Sequence, residues 1–466
     1  MRSLIFIYLL IFGAFSALAK GKEKQPNIII ILSDDQGWGD VGFNGGTDIP
    51  TPNLDALAAK GVVFSQGYAS HSYCSPSRAG LMSGRYQQRF GHENNIPYEN
   101  HTPEDGLPLK EEMMSETFKK AGYTTCAIGK WHLGDDPKFW PNNRGFDDWF
   151  GFYGGGMGYW PDDTKKTVSK GILRNGELVP VDQLNYLTDD FSAEAVNYID
   201  KYSKEDKPFF MYLAYNAPHS PVHATSEYIK KVAHIEDGHR AAYAAMVVGM
   251  DHGIGKVMDK LEQEGIADNT IVIFYSDNGA ATNGASSAPY RGHKGMLFEG
   301  GIRVPFLMTW PEQIKGGQQY DDPMIALDVF PTLLAATGLE GPQKQLDGEN
   351  LLPYLKKGKS AGDRTLYWRY SDGAGYAVRD GKYKFVYSGY KLADHLFDIE
   401  KDPYERQNIA DQQPEEVERL KQMYQEWTKG TVKAKWQDPH AENVLKEEKK
   451  RQSFLDKASR GERKAL

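Results

Sequence analysis

Asn27-Ile28-Ile29-Ile30-Ile31-Leu32-Ser33-Asp34-Asp35-Gln36-Gly37 is the stretch from which the rest of the chain can be read. Its first six residues are a short, almost uninterrupted apolar run rich in β-branched side chains, the pattern of a central strand covered on both faces. In open α/β sheets, ligands collect at the carboxyl ends of the strands. A lone Asp at such an end is usually a turn former or helix cap. Asp34 and Asp35 are adjacent there. Two carboxylates so close repel one another unless a cation lies between them, which points to a metal.

Working outward, the same unit recurs. Residues 123–128 read as a buried strand running into Lys130 and His132, and residues 208–214 as another leading to Asn216 and His219. Residues 270–275 form a third, ending in Ser276-Asp277-Asn278-Gly279. Between them, residues 51–61, 111–121, 188–202 and 239–263 have helical apolar spacing. In the first, Thr51 is expected to cap the helix, Pro52 to open it and Gly61 to close it. Strands alternating with helices predict an α/β fold with a large, mostly parallel central sheet flanked by helices, and all the reactive groups at one edge.

From about residue 362 the pattern changes. Residues 365–370, 376–379, 382–387 and 396–398 read as closely spaced short strands, and 414–427 as a helix. A smaller C-terminal domain of antiparallel sheet plus helix, with a charged tail, is expected over 362–466, after a larger domain over 20–361.

At 466 residues two domains are the natural expectation, and 40% hydrophobic with 25% charged residues describes a globular chain. The net charge of −8 excludes a general nucleic-acid role, and no internal segment is apolar enough for a membrane span. Residues 1–19 read as a signal peptide: Arg2, an apolar run over 4–18, and Ala17-Leu18-Ala19 before the cleavage point. A secreted or periplasmic location is therefore expected, with no lipid anchor, because the residue directly after that point is Lys20 and not Cys.

The two cysteines are Cys74 and Cys126. Spacing alone leaves a disulfide open, as export favours. Against it, Cys126 lies in a strand-like run, while Cys74 begins Cys74-Ser75-Pro76-Ser77-Arg78-Ala79-Gly80-Leu81-Met82-Ser83-Gly84-Arg85. Pro76 suits a first helical turn, and Arg78, four residues on, shares a face with Cys74. That places a nucleophile beside anion-binding groups; a packed thiol with a solvated Arg is the alternative.

Taken together, these motifs resemble the type I, formylglycine-dependent sulfatase family of the alkaline phosphatase superfamily, and bacterial carbohydrate sulfatases in particular. The likeness rests on Cys-x-Pro-Ser-Arg with Leu-x-Ser-Gly-Arg at Cys74 to Arg85, and on Gly129-Lys130-Trp131-His132-Leu133-Gly134. Ser276-Asp277-Asn278-Gly279 and the run from Leu396 to Asn408 complete it. The resemblance implies that a formylglycine-generating or other maturing enzyme converts Cys74 to Cα-formylglycine, whose hydrate attacks sulfur. It implies Ca²⁺ held by Asp34, Asp35, Asp277 and Asn278 together with the converted Cys74, and sulfate contacts from Arg78, Lys130, His132, His219 and Lys294. His219, beside Lys294, would protonate the leaving oxygen, and His132 would help remove a proton from the second hydroxyl so that sulfate leaves.

The substrate expected by the same resemblance is a sulfated carbohydrate. Residues 149–160, 89–95 and 280–290 are expected to form its leaving-group pocket. A phosphodiesterase or phosphonate hydrolase of the same superfamily, a binding protein without catalysis, and a disulfide-bridged structural protein remain as alternatives.

Overall fold

The computed structural model describes residues 24–97, 102–164, 171–388 and 393–437. The expected signal peptide and residues 438–466 of the charged tail lie outside the described residues.

One ten-stranded sheet runs through the larger part of the chain. In spatial order its strands are Gln318–Tyr320, Val62–Phe64, Phe306–Thr309, Thr270–Ser276, Asn27–Ser33, Phe209–Ala214, Thr124–Lys130, Asp148–Phe152, Leu173–Arg174 and Glu177–Leu178. The five from Thr270–Ser276 to Asp148–Phe152 are parallel to one another. The antiparallel pairings lie outside them: Phe306–Thr309 runs against both its neighbours, and Leu173–Arg174 against Asp148–Phe152. The expected mostly parallel α/β sheet is present, with mixed flanks.

Asn27–Ser33 is buried at every position because both faces are covered. Successive side chains of a strand point to opposite faces. Ile29 and Ile31 accordingly enter the apolar layer shared with helices Leu187–Tyr202 and Gly238–Gln263, while Ile28, Ile30 and Leu32 join helices Cys74–Ser83, Met114–Lys120 and Val329–Thr337. Each fully buried Ile or Leu here contributes roughly 1.5–3 kcal/mol.

Three local expectations are corrected. The helix expected from 111 starts at Met114, because buried Glu111 turns aside to pair with Lys344 at 2.5 Å and with Arg85. Thr51 precedes its helix without capping it; its hydroxyl accepts from the Gly42 N–H at 2.8 Å and donates to Asp55 at 3.2 Å. Of residues 149–160, expected in the leaving-group pocket, the first four lie instead in a core strand, Asp148–Phe152. Pairing with Thr124–Lys130 buries Trp149, Phe150 and Phe152.

A second sheet is an antiparallel meander of Leu366–Tyr370, Gly375–Asp380, Tyr383–Ser388 and Ala393–Asp398. Helix Pro414–Thr428 covers one face through Val417 and Leu420. The other face packs Trp368, Val386 and Phe397 against Tyr68, Phe298, Ile302 and Leu327, so the meander shares an apolar layer with the larger part. Inside this seam the Lys384 ammonium lies 2.7 Å from Glu299 and 2.9 Å from Glu405, with all three side chains fully buried. Among the described residues, no helix is long and apolar enough to cross a membrane.

Candidate active site

Four chain segments meet at the carboxyl edge of the central strands. Asn27–Ser33 delivers Asp34 and Asp35, Thr270–Ser276 delivers Asp277 and Asn278, and Thr124–Lys130 delivers Lys130 and His132. Phe209–Ala214 leads to His219. Gly129 makes the exit beside Lys130 possible: its φ is +91°, and a Cβ there would lie 1.9 Å from the Ala214 carbonyl oxygen. Asp35 and His132 also adopt left-handed backbone, at φ 67° and 58°, a conformation uncommon outside glycine.

Cys74 opens the helix Cys74–Ser83 and faces this edge. Its Sγ is 3.5 Å from Asp34 Oδ1, 3.8 Å from Asp35 Oδ1 and 3.2 Å from Lys294 Nζ. Arg78 lies one turn on, and it is fully buried and not on a solvated face. Both expected cysteines are buried and free, which removes the disulfide.

The charges pair one to one. Arg78 binds Asp277, Lys130 Nζ lies 2.6 Å from Asp34, and Lys294 Nζ lies 2.6 Å from Asp35. Three carboxylates thus cancel three cations. Asn278 Nδ2 donates to Asp35 Oδ1 at 2.8 Å, leaving its buried Oδ1 without a hydrogen-bond partner. His219 Nε2 is 3.6 Å from Asp35 Oδ2, while its Nδ1 lies 2.6 Å from the Ser220 carbonyl. A carbonyl only accepts, so Nδ1 carries hydrogen. Asp34, Asp35, Cys74 and His219 bring one ligand atom each within 4.8 Å of the others.

Burial is the largest single influence on the protonation of each of these groups. It raises the Cys74 thiol well above its ordinary range, more than Lys130 and Lys294 pull it down. It also pushes Asp34 upward, but Lys130, His219, Arg78 and Lys294 together hold that carboxyl below the usual range. Burial and then the neighbouring Asp34 lift Asp277 to about 6, against Arg78. His132 is driven well below its usual value by burial, Lys130 and Arg78. Its Nδ1 is buried and has no hydrogen-bond partner.

The donor set fits a hard divalent cation. Oxygen donors converge, the carboxylates crowd one another, and the orphan Asn278 Oδ1 lacks only a positive partner. A cation there would also release Arg78, Lys130 and Lys294 to meet an anion.

The sequence brought together Asp34, Asp35, Cys74, Arg78, Lys130, His132, His219, Asp277, Asn278 and Lys294, and the structure places all of them in this one cluster. Of the expected pocket, residues 89–95 are instead a largely buried loop: Arg89 pairs with Asp347 at 2.7 Å, and His92, Glu93 and Asn94 are buried. Behind Cys74 lie Ser75, His92 and Trp436: Ser75 is the unspecified second position of the Cys74 motif, His92 entered only as part of the expected pocket, and no spacing or motif marks Trp436.

Comparison with known proteins agrees with this geometry. The family model described as "Sulfatase" matches residues 26–339, and that described as "N-sulphoglucosamine sulphohydrolase, C-terminal" matches 292–433. The N-acetylgalactosamine-6-sulfatase of Mus musculus is 37% identical over 397 residues, covering 81% of this chain and 74% of that protein. That of Homo sapiens is 38% identical over 373 residues, covering 75% and 70%. The crystal structure of Ps i-CgsB superposes with a TM-score of 0.85 at 36% identity, covering 91% of this chain and 97% of that one, and that protein has also been solved in complex with k-i-k-neocarrahexaose. Fold and likeness together define a sulfuric ester hydrolase. The chain belongs to the sulfatase family.

Proposed function

We propose that this sulfatase hydrolyses a sulfate ester on a sugar of a sulfated polysaccharide or glycan, with Cys74 converted to formylglycine and Ca²⁺ held by Asp34, Asp35, Asp277 and Asn278. The observation that carries the reading is the position of Cys74 Sγ, within 3.5 Å of Asp34 and 3.2 Å of Lys294 at the focus of three ion pairs. A thiol whose ionisation is suppressed by burial makes a poor nucleophile at neutral pH. A hydrated aldehyde in its place supplies a hydroxyl oxygen instead. Ca²⁺, when bound, supplies fixed positive charge beside the reacting oxygens.

The chain's own groups do the rest. Arg78, Lys130 and Lys294 bind the sulfate oxygens and stabilise charge there without solvent reorganisation. His219, when protonated on both nitrogens, gives a proton from Nε2 to the leaving sugar oxygen while Nδ1 keeps its hydrogen on Ser220; burial lowers its pKa, and Asp34 and Asp35 oppose that by favouring the charged ring. His132, kept neutral by its surroundings, accepts a proton as sulfate departs. The sugar preference draws support from the relatives named above, which act on or bind carbohydrates by name. Maturation by a formylglycine-generating enzyme and export through residues 1–19 belong to the same reading.

A panel of position-defined sulfated mono- and oligosaccharides, run beside an aryl phosphodiester on one preparation, tests it. Sulfate release from a sugar is expected; phosphodiester turnover with no sulfate release would overturn it. A Cys74→Ala variant that kept full sulfate release would remove the proposed nucleophile. Intact mass reports the cysteine conversion, and the N-terminal sequence of the exported protein reports the cleavage point.

A further inference from the structure

Behind Cys74 the chain is strapped by its own C-terminal stretch. The Val432 N–H donates to the Gln88 carbonyl and the Lys435 N–H to the Gly91 carbonyl, each at 2.9 Å. Asn94 Nδ2 donates to the Trp436 carbonyl at 2.9 Å. Trp436 Nε1 donates in turn to the Asn94 and Asn95 carbonyls, at 3.0 and 2.9 Å. Its ring stands edge-on to His92, with centroids 4.7 Å apart at 78°. Arg369 grips the same loop through Glu93, at 2.9 and 2.5 Å, and reaches the strap at Thr431 and Val432.

What this loop holds is Ser75, the residue after Cys74. Asn95 Oδ1 accepts from the Ser75 N–H at 3.1 Å. Ser75 Oγ contacts His92 Nε2 at 2.6 Å and the His132 carbonyl at 2.7 Å. A hydroxyl has one proton, and a carbonyl oxygen only accepts, so that proton goes to His132. His92 must therefore be the donor at its contact, with hydrogen on Nε2. Burial depresses the ring to about 3, so it is neutral and Nδ1 is bare; Nδ1 is buried without a partner. The one proton of the first-turn Ser75 hydroxyl and one of its two acceptor positions are thus spent on fixing His132 against the Cys74 helix. His132 needs such a hold because its backbone is left-handed, with its N–H tied to the Tyr153 carbonyl at 2.9 Å on the other side.

We propose that His92 and Trp436 are positioning residues of the sulfate-ester site: the C-terminal strap seats His92, His92 orients the Ser75 hydroxyl, and Ser75 sets the spacing of Cys74 and His132. This rests on the roles given above to Cys74 and His132. Neither positioning residue touches the reacting atoms, so their loss is read in turnover more than in binding.

His92→Gln and His92→Met separate donation from packing, because the Gln amide presents an N–H close to where Nε2 stood and Met presents none. With the sulfated sugar that the wild type cleaves, His92→Met and Trp436→Ala are expected to lower kcat roughly tenfold to a hundredfold with KM within about threefold, the scale of a misplaced reacting group. His92→Gln is expected to restore most of kcat. Melting temperature and the converted fraction of Cys74 are measured on each variant, so that only folded, equally converted protein is compared. Full kcat in His92→Met, or equal loss in His92→Gln and His92→Met, would overturn the proposal. A second readout needs no substrate: ¹⁵N-histidine spectra are expected to show His92 with hydrogen on Nε2, and this signal is expected to shift in Trp436→Ala. Hydrogen on Nδ1, or an unchanged signal, would overturn it too. Failure of the wild type to release sulfate from any sugar of the panel bears on the substrate reading, and the spectra still decide the strap.

Discussion

Arg78 gives two hydrogen bonds to a single oxygen of Asp277, from Nε at 3.0 Å and Nη2 at 2.8 Å, and both side chains are fully buried. Asp277 Oδ1 is left for the Asp35 N–H at 3.2 Å. The guanidinium therefore braces the acidic cluster as well as facing the anion site. Arg78→Leu is expected to lower sulfate release by about 10²–10³ or more. It is also expected to destabilise the fold by about 3–5 kcal/mol, because a buried carboxylate loses its partner. The double variant Arg78→Leu, Asp277→Leu is expected to recover much of the stability and none of the activity. Thermal unfolding beside initial rates checks both halves; a double variant as unstable as the single one would contradict the pairing.

His219 is expected to matter in proportion to the leaving group. His219→Ala is expected to slow release from a sugar sulfate by about 10²–10⁴, the usual value of a positioned general acid. With an aryl sulfate, whose phenolate leaves unaided, the loss is expected to be much smaller. Comparing the two substrates on one variant gives the answer, and equal losses would exclude proton donation to the leaving oxygen.

Removing the metal is expected to abolish turnover and to lower the melting temperature. A ligand held at about a hundred times its dissociation constant stabilises by about 2.7 kcal/mol. Metal analysis before and after chelation, followed by readdition of Ca²⁺ or Mg²⁺, provides the measurement. Asn278→Ala is expected to weaken Ca²⁺ binding, since its Oδ1 has no other partner. Unchanged metal content in that variant would remove Asn278 from the ligand set.

The seam between the two sheets is expected to respond to pH. Burial raises Glu405 to about 7, with Glu299 adding to it and Lys384 opposing. Burial also acts upward on Glu299, but Lys384, Arg303 and Arg379 hold it at about 2. A carboxyl raised in the folded state binds more protons there than in the unfolded chain, so stability falls as pH rises from about 4.5 to 7. For Glu405 that loss is about 3 kcal/mol at most. The Glu299 contribution has the opposite sign and is lost only as pH falls from about 4.5 towards 2. Urea unfolding across the upper window is expected to show a shallower slope in Glu405→Gln than in wild type; identical slopes would refute the assignment.

Much of the site was legible because its residues sit where strands end. Asp34, Lys130, His219 and Asp277 follow four apolar runs, and parallel strands bring such ends to one edge whatever their order in the chain. Cys74 and Arg78 were legible from helical spacing. The aromatic run at Asp148–Phe152 misled because glycine and aromatic residues serve a loop and a buried strand alike, and only pairing with Thr124–Lys130 distinguishes them. One helix start erred where a side chain had a distant partner, as Glu111 has in Lys344; the start at Pro52 is where it was expected, and only the Thr51 hydroxyl is turned elsewhere, to Gly42. His92 and Trp436 were not legible in role: their partnership spans more than three hundred residues and leaves no local pattern.

That long span has a consequence for the order in which the protein is made. Trp436, which closes the loop behind Cys74, is synthesised 362 residues after it. In the finished fold, with that loop closed, Cys74 is only 2% exposed. Access to Cys74 is therefore expected to depend on whether residues 432–436 have docked, a dependence that no neighbour of Cys74 in the chain reveals.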